Sequence, residues 1–175
     1  MITLILIVVA ILIIGFLLFA ASRPDTMKVE RTISIDAKAH DIFPHIANFH
    51  KWTAWSPYEK LDPDMVRTYG GSEKGKGATY EWTGNTKVGA GRMEITDTEP
   101  SKINIKLEFV RPMKATNPTE FTLADHDGRT EVTWSMSAKQ QLIGKIMCIF
   151  MSLDNLVGRD FEKGLKNLKN LCENK

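Results

Sequence analysis

The chain has little cysteine. Its 175 residues include two, Cys148 and Cys172, with no Cys-x-x-Cys pair, so no disulfide framework or zinc-type centre is written into it. Both fall in the C-terminal helical stretch, about 36 Å apart along a continuous helix, far beyond the Cα separation of a disulfide. They read as small apolar core residues. Histidine is also sparse, and His40, His45 and His50 are spaced by five, which scatters them around a helix. No metal and no cofactor is expected. No GxxxxGK[ST] loop follows a strand; Gly70, Gly71, Gly75 and Gly77 punctuate a polar turn instead. The net charge is only +2, and no dense Lys/Arg patch is interleaved with aromatics, which argues against a nucleic-acid partner.

Charge is wholly missing from one region. Ile2 to Ala21 is an unbroken apolar run of about 30 Å as a helix, the hydrocarbon thickness of a bilayer. It reads as a single membrane span. A cleaved signal peptide, with Ala20-Ala21-Ser22 as its cleavage site, is the alternative, but the run exceeds an ordinary signal core and no Lys or Arg precedes it. Arg23, Lys28 and Arg31 follow it, so the positive-inside bias predicts a cytoplasmic soluble domain. The absence of an Asn-x-Ser/Thr sequon agrees, since Asn117 is followed by Pro118. The expected organisation is an anchor over 1–22, a tether over 23–27 and one domain of about 150 residues over 28–175, the usual size for a single core.

The C-terminal stretch from Lys139 to Lys175 contains no proline. Leu142, Ile146, Phe150, Leu153, Val157, Phe161, Leu165, Leu168 and Leu171 recur at steps of three and four, which predicts one long helix of about 45 Å. Gly144 and Gly158 are small positions within it where a sheet could approach.

Between Met27 and Met136 the pattern has a period of two. Val29, Ile33 and Ile35 share a face of the first strand, with Arg31 on the same parity, either paired with a carboxylate or binding an anion in a cavity. Asp36 is an expected helix cap before Ile42, Phe43, Ile46, Ala47 and Phe49, in a short or bent element holding Pro44. Trp52 and Trp55 follow and either plug the sheet or line a ligand entrance. Strands are then expected on Ala78/Tyr80/Trp82, Val88 to Thr98, Ile103 to Phe109, Phe121/Leu123 and Val132/Trp134/Met136, with Asp125-His126-Asp127-Gly128 as a hairpin turn. Connections this short require an antiparallel meander. The predicted class is α+β: a curved antiparallel sheet wrapped around a long C-terminal helix, preceded by a transmembrane helix.

Tyr80 to Asn85, Val88 to Met93, Arg111 to Asn117, Met151 to Asp154 and Gly158 to Leu165, set in this order of elements, resemble membrane-anchored bacterial members of the polyketide cyclase/dehydrase and lipid-transport group. That group lies within the START-like, or SRPBCC, superfamily. The resemblance spans about Lys28 to Leu171 and implies the helix-grip fold. It does not select a chemistry, because the superfamily includes lipid carriers, cyclases, oxygenase domains and chaperone activators. Oxygenase members carry metal-ligand histidines and carboxylates, and no such cluster occurs here.

Three functions follow for this architecture. The first is binding or transfer of a small hydrophobic molecule, such as a lipid, between sheet and helix. Arg31, Trp55, Tyr80, Trp82, Met93, Phe109, Phe121, Trp134, Met147 and Met151 are its candidate ligand-binding residues. The second is a cyclase- or dehydratase-type enzyme in the same cavity, with Asp154, Arg92 and Tyr80 as candidate acid/base groups and Arg31 beside them. The third is a ligand-free, membrane-tethered interaction module, with Arg159, Lys163, Lys166 and Lys169 as a stripe that is solvated or touches headgroups.

Overall fold

The structure is a computed structural model that describes residues 1–150 and 153–174. A 20-residue helix α1 (Ile2–Ala21) is followed by strand β1 (Thr26–Ile35), helix α2 (Ala39–Ile46) and two short 3-10 helices, Phe49–Ala54 and Pro57–Lys60. Six strands follow: β2 (Val66–Gly71), β3 (Ala78–Thr83), β4 (Ala90–Glu99), β5 (Lys102–Arg111), β6 (Ala115–His126) and β7 (Arg129–Lys139). Helices α3 (Leu142–Phe150) and α4 (Leu153–Glu173) complete the chain.

The seven strands form one sheet in the order β1-β7-β6-β5-β4-β3-β2. It is antiparallel throughout, as short connections require. At the β6–β7 turn, Asp127 and Gly128 take φ of 48° and 88°, the left-handed pair that a two-residue hairpin needs to match strand twist. One sheet face carries Val29, Tyr80, Met93, Ile95, Ile105, Phe121, Trp134 and Met136, all buried. This concave face receives α4 along β1 and β7, with Phe161, Leu165 and Leu168 turned inward.

Aromatic stacking fixes that contact. The Phe161 ring lies on the Trp134 indole at 4.0 Å between centroids and 8° between planes, and Trp134 stacks in turn on Phe121 at 4.9 Å. Trp52 and Trp55 close the cluster from below. Their indole N–H groups donate to the carbonyls of Ile46 and His45 at 2.9 and 3.0 Å. These carbonyls sit at the C-terminus of α2 and have no partner within the helix, so the tryptophans bury apolar area and cap the helix together.

Several expectations are corrected. Asp36 does not cap α2, whose N-cap is Lys38 without a side-chain bond; the Asp36 N–H instead donates to Glu173 on α4. Gly70 and Gly71 do not belong to a turn. They end β2, a strand whose pattern the glycines obscured. Strand β6 starts at Ala115, six residues before Phe121, and so includes Pro118. Its ladder to β7 begins only at Thr119, so the proline falls where no bond to that neighbour is due. The stretch expected as one C-terminal helix is described as α3 and α4, and residues 151–152 between them lie outside the described residues. Neither cysteine is in a disulfide.

The stack predicts a measurable loss. Phe161→Ala leaves Trp134 facing a void and is expected to cost about 3–5 kcal/mol, read as a lowered guanidinium midpoint for the full chain in detergent.

Candidate functional site

Strand registers divide the concave face into rows. Arg31, Trp134, Phe121 and Ile103 form one row, and Val29, Met136, Thr119, Ile105 and Ile95 the next. Tyr69, Tyr80, Met93, Leu107 and Asn117 follow. Trp82, Gly91, Phe109 and Ala115 form the last. The first rows lie under α4 and the aromatic cluster and are packed. Toward the last row the face opens: Leu107, Phe109 and Trp82 are only half-buried and Ala115 is exposed.

Gly91 shapes this open end. The Trp82 ring lies directly over it, where any Cβ would collide with the indole and with the Glu108 carbonyl. The indole N–H donates to Val88 at 2.9 Å, and the ring meets Phe109 edge-on at 5.9 Å. An apolar surface with two aromatic walls results. The amide of Asn117, buried in the adjacent row, donates to the Met136 sulfur at 3.8 Å, a weak bond for a buried amide.

Two polar clusters frame the face. At its β1 edge Arg31, on the apolar parity, crosses Gly158 of α4 so closely that a side chain there would overlap the guanidinium. It donates to Asp154 at 3.0 and 3.1 Å and to Glu162 at 2.6 Å. The bond from Arg31 holds the Asp154 carboxyl below its ordinary range, and the two carboxylates raise the guanidinium further. At the β2 edge, buried Glu59 accepts from the Tyr80 hydroxyl at 2.6 Å and from Arg67 at 2.7 Å. Burial first, and then the bond to Glu59, raises the Tyr80 phenol. Nearby, burial raises both Tyr58 and its partner Asp160.

The structure therefore gathers Tyr80, Trp82, Met93 and Phe109 at the open end, and Trp55, Phe121 and Trp134 in the packed half. Arg31 lies at the margin with Asp154. Arg92 has the other parity and lies on the outer face between Glu81 and Glu94, at 3.5 and 3.7 Å. Met151 and the side chain of Met147 lie outside the described residues. Leu107, Asn117, Gly91 and Glu59 were not anticipated. The buried parity of Tyr80 was the available signal for Glu59, since a buried hydroxyl requires a partner. A groove of about 400 Å³ lies on the outer face, lined by Lys28, Thr96, Asn104, Lys106, Glu120 and Ser135 among others. No group of three or more His, Cys, Asp or Glu suited to a metal occurs among the described residues.

Residues 26–173 match the family model described as polyketide cyclase / dehydrase and lipid transport. The chain belongs to this family. Solved structures share the helix-grip fold of this cyclase/lipid-transport member at low identity. Protein CV1439 from Chromobacterium violaceum is 14% identical with a TM-score of 0.59, over 86% of this chain and 99% of that one. The Aha1 dimer from Colwellia psychrerythraea is 15% identical with a TM-score of 0.59, over 84% and 96%. The di-domain ARO/CYC BexL from the BE-7585A biosynthetic pathway is 13% identical with a TM-score of 0.63; 88% of this chain covers 52% of that one. No curated protein matches the chain.

The Arg31–Asp154 pair has a pH signature. A carboxyl held low in the folded state contributes stability that is complete above its unfolded pKa, about 3.9, and is lost as pH falls through the lower folded value. Asp154→Asn is expected to unfold at lower temperature than the parent at neutral pH, the two profiles converging in acid. A constant gap at every pH would contradict this assignment.

Proposed function

We propose that this protein is a membrane-anchored binding module that holds or transfers a small apolar molecule of lipid type at the open end of its concave face. The observation that carries this reading is the division of that face. One half is filled by stacked aromatics, whereas the end bounded by Trp82, Leu107 and Phe109 keeps apolar walls half-exposed, with Asn117 as a polar group for orientation. The titratable candidates support binding over catalysis. Tyr80 is committed to Glu59 and Asp154 to Arg31, and Arg92 faces away with Glu81 and Glu94.

Helix α1 supplies the membrane. An 18-residue stretch of it has a mean hydropathy of 3.4, and none of that stretch is buried against the rest of the protein, an apolar surface far too large to leave in water. The basic residues that follow it favour the cytoplasmic side for the domain.

The test is photocrosslinking of the full chain in nanodiscs containing a phospholipid with a diazirine in its acyl chain, followed by peptide mapping. Adducts are expected on concave-face peptides around Met93 and Leu107 as well as on α1. Phe109→Lys is expected to remove the former while leaving the thermal midpoint nearly unchanged. Adducts confined to α1 would sink the reading.

A further inference from the structure

The sheet has two ends of different chemistry. Registers place the start of β1 (Thr26) beside the end of β7 (Lys139), the start of β4 (Ala90) beside the end of β5 (Arg111), and the start of β2 (Val66) beside the end of β3 (Thr83). The turns at 84–89 and 112–114, the tether and the start of α3 therefore share one end. The turns at 36–38, 72–77, 100–101 and 127–128 share the other.

Beyond Met1 and α1, the exposed large apolar residues among those described are Leu61, Val66, Val110, Met113, Leu142 and Ile143, and all belong to the first end. Val66, Met113 and Ile143 are 64%, 62% and 69% exposed. Leu61 joins them because its neighbour Asp62 accepts from the Asn85 N–H in the 84–89 turn. Arg23, Lys87, Arg111, Lys114 and Lys139 stand among them. On the acidic side Asp25 is paired with Lys145 at 2.5 Å and Asp62 is buried, leaving Asp64. The far end instead mixes Asp36, Glu73, Glu99, Asp125 and Asp127 with its bases and has no exposed large apolar side chain among the described residues.

The tether fixes what meets this end. Only Ser22 to Asp25 separate α1 from β1, at most about 14 Å of extended chain. Buried Lys145 of α3 shortens the reach further, donating to the Ala21 carbonyl at 3.0 Å while it pairs with Asp25. Helix α3 packs on α1. We infer that this end of the domain is a second membrane contact: Val66, Val110, Met113, Leu142 and Ile143 enter the headgroup–acyl boundary while Arg111, Lys114 and their neighbours meet anionic headgroups. The open row of Trp82 and Phe109 lies at the same end, so the mouth of the concave face is held against the bilayer. The inference rests on α1 being a membrane anchor.

The full chain carrying Cys148→Ser and Cys172→Ala receives single cysteines in place of Met113, Ile143, Lys74 at the far end, or Leu12 in α1. Each is labelled with an environment-sensitive fluorophore in nanodiscs of phosphatidylcholine and phosphatidylglycerol containing a headgroup-level nitroxide lipid, or, for position 12, one with the nitroxide deep in its acyl chain. Labels at 113 and 143 are expected to be quenched severalfold more than the label at 74. The docked-to-free ratio read at 113 should fall roughly fivefold for each charge removed in Arg111→Gln and Lys114→Gln, and likewise in phosphatidylcholine alone. Solvent-like labels at 113 and 143 beside a quenched label at 12 overturn this contact and leave the anchor standing. An unquenched label at 12 removes both. Quenching at 143 without 113 also overturns it, because α3 follows α1 whatever the tilt of the domain. Shielding that tracks protein density rather than nitroxide marks a second copy as the occupant and overturns the membrane contact as well. Val66→Cys replaces any position whose label unfolds the chain.

Discussion

The contact between Trp134 and Phe161 decides where the terminal helix lies, and the remaining geometry follows from it. A parallel stack at 4.0 Å demands that the α4 backbone approach β7 closely. Gly164 permits this: a Cβ at that position would sit 2.8 Å from the Trp134 ring and 3.1 Å from Pro57. Six residues earlier, Gly158 admits the Arg31 guanidinium on the β1 side. The helix is thus seated by two glycines against two large side chains, one aromatic and one cationic. Seated over β1 and β7, it leaves the strands further along the sheet uncovered at one end.

That arrangement gives the domain a polarity that composition conceals. A net charge of +2 and evenly mixed acids and bases suggest a featureless surface. The meander sorts them. Alternate turns collect at opposite ends of the sheet, so residues distant in sequence, such as Val66, Met113 and Ile143, become neighbours in chemistry. The end they form is also where the concave-face residues are only half-buried and where α1 joins.

Legibility in the sequence followed the strength of local patterns. Alternation identified β1, β5 and β7, the DHDG turn placed the last hairpin, and the uncharged run identified α1. Strand β2 was hidden because Gly70 and Gly71 read as turn residues, and β6 was expected only from Phe121 although it begins at Ala115; its first residues, Pro118 among them, pair with β5 alone. The parity of Arg31 pointed to its inward course, but its partners Asp154 and Glu162 lie more than 120 positions away, a separation that no window detects. Gly158 was singled out as a site of close approach and is one. Gly144 meets nothing nearer than 3.9 Å, and Gly164, unremarked, carries the tighter contact. A glycine in a helix signals an approach without naming the partner.

The short link between α1 and β1 bears on what kind of transfer is physically open to such a molecule. A diffusing shuttle must leave one surface to reach another, and under the proposed function a domain held to a membrane-spanning α1 by four residues and a buried lysine would have no such freedom. Its cargo would have to arrive and depart by lateral movement, or be handed to a protein that comes to the same patch of surface. Encounter then depends on areal density and not on aqueous concentration, and a molecule almost insoluble in water would be captured as readily as a soluble one.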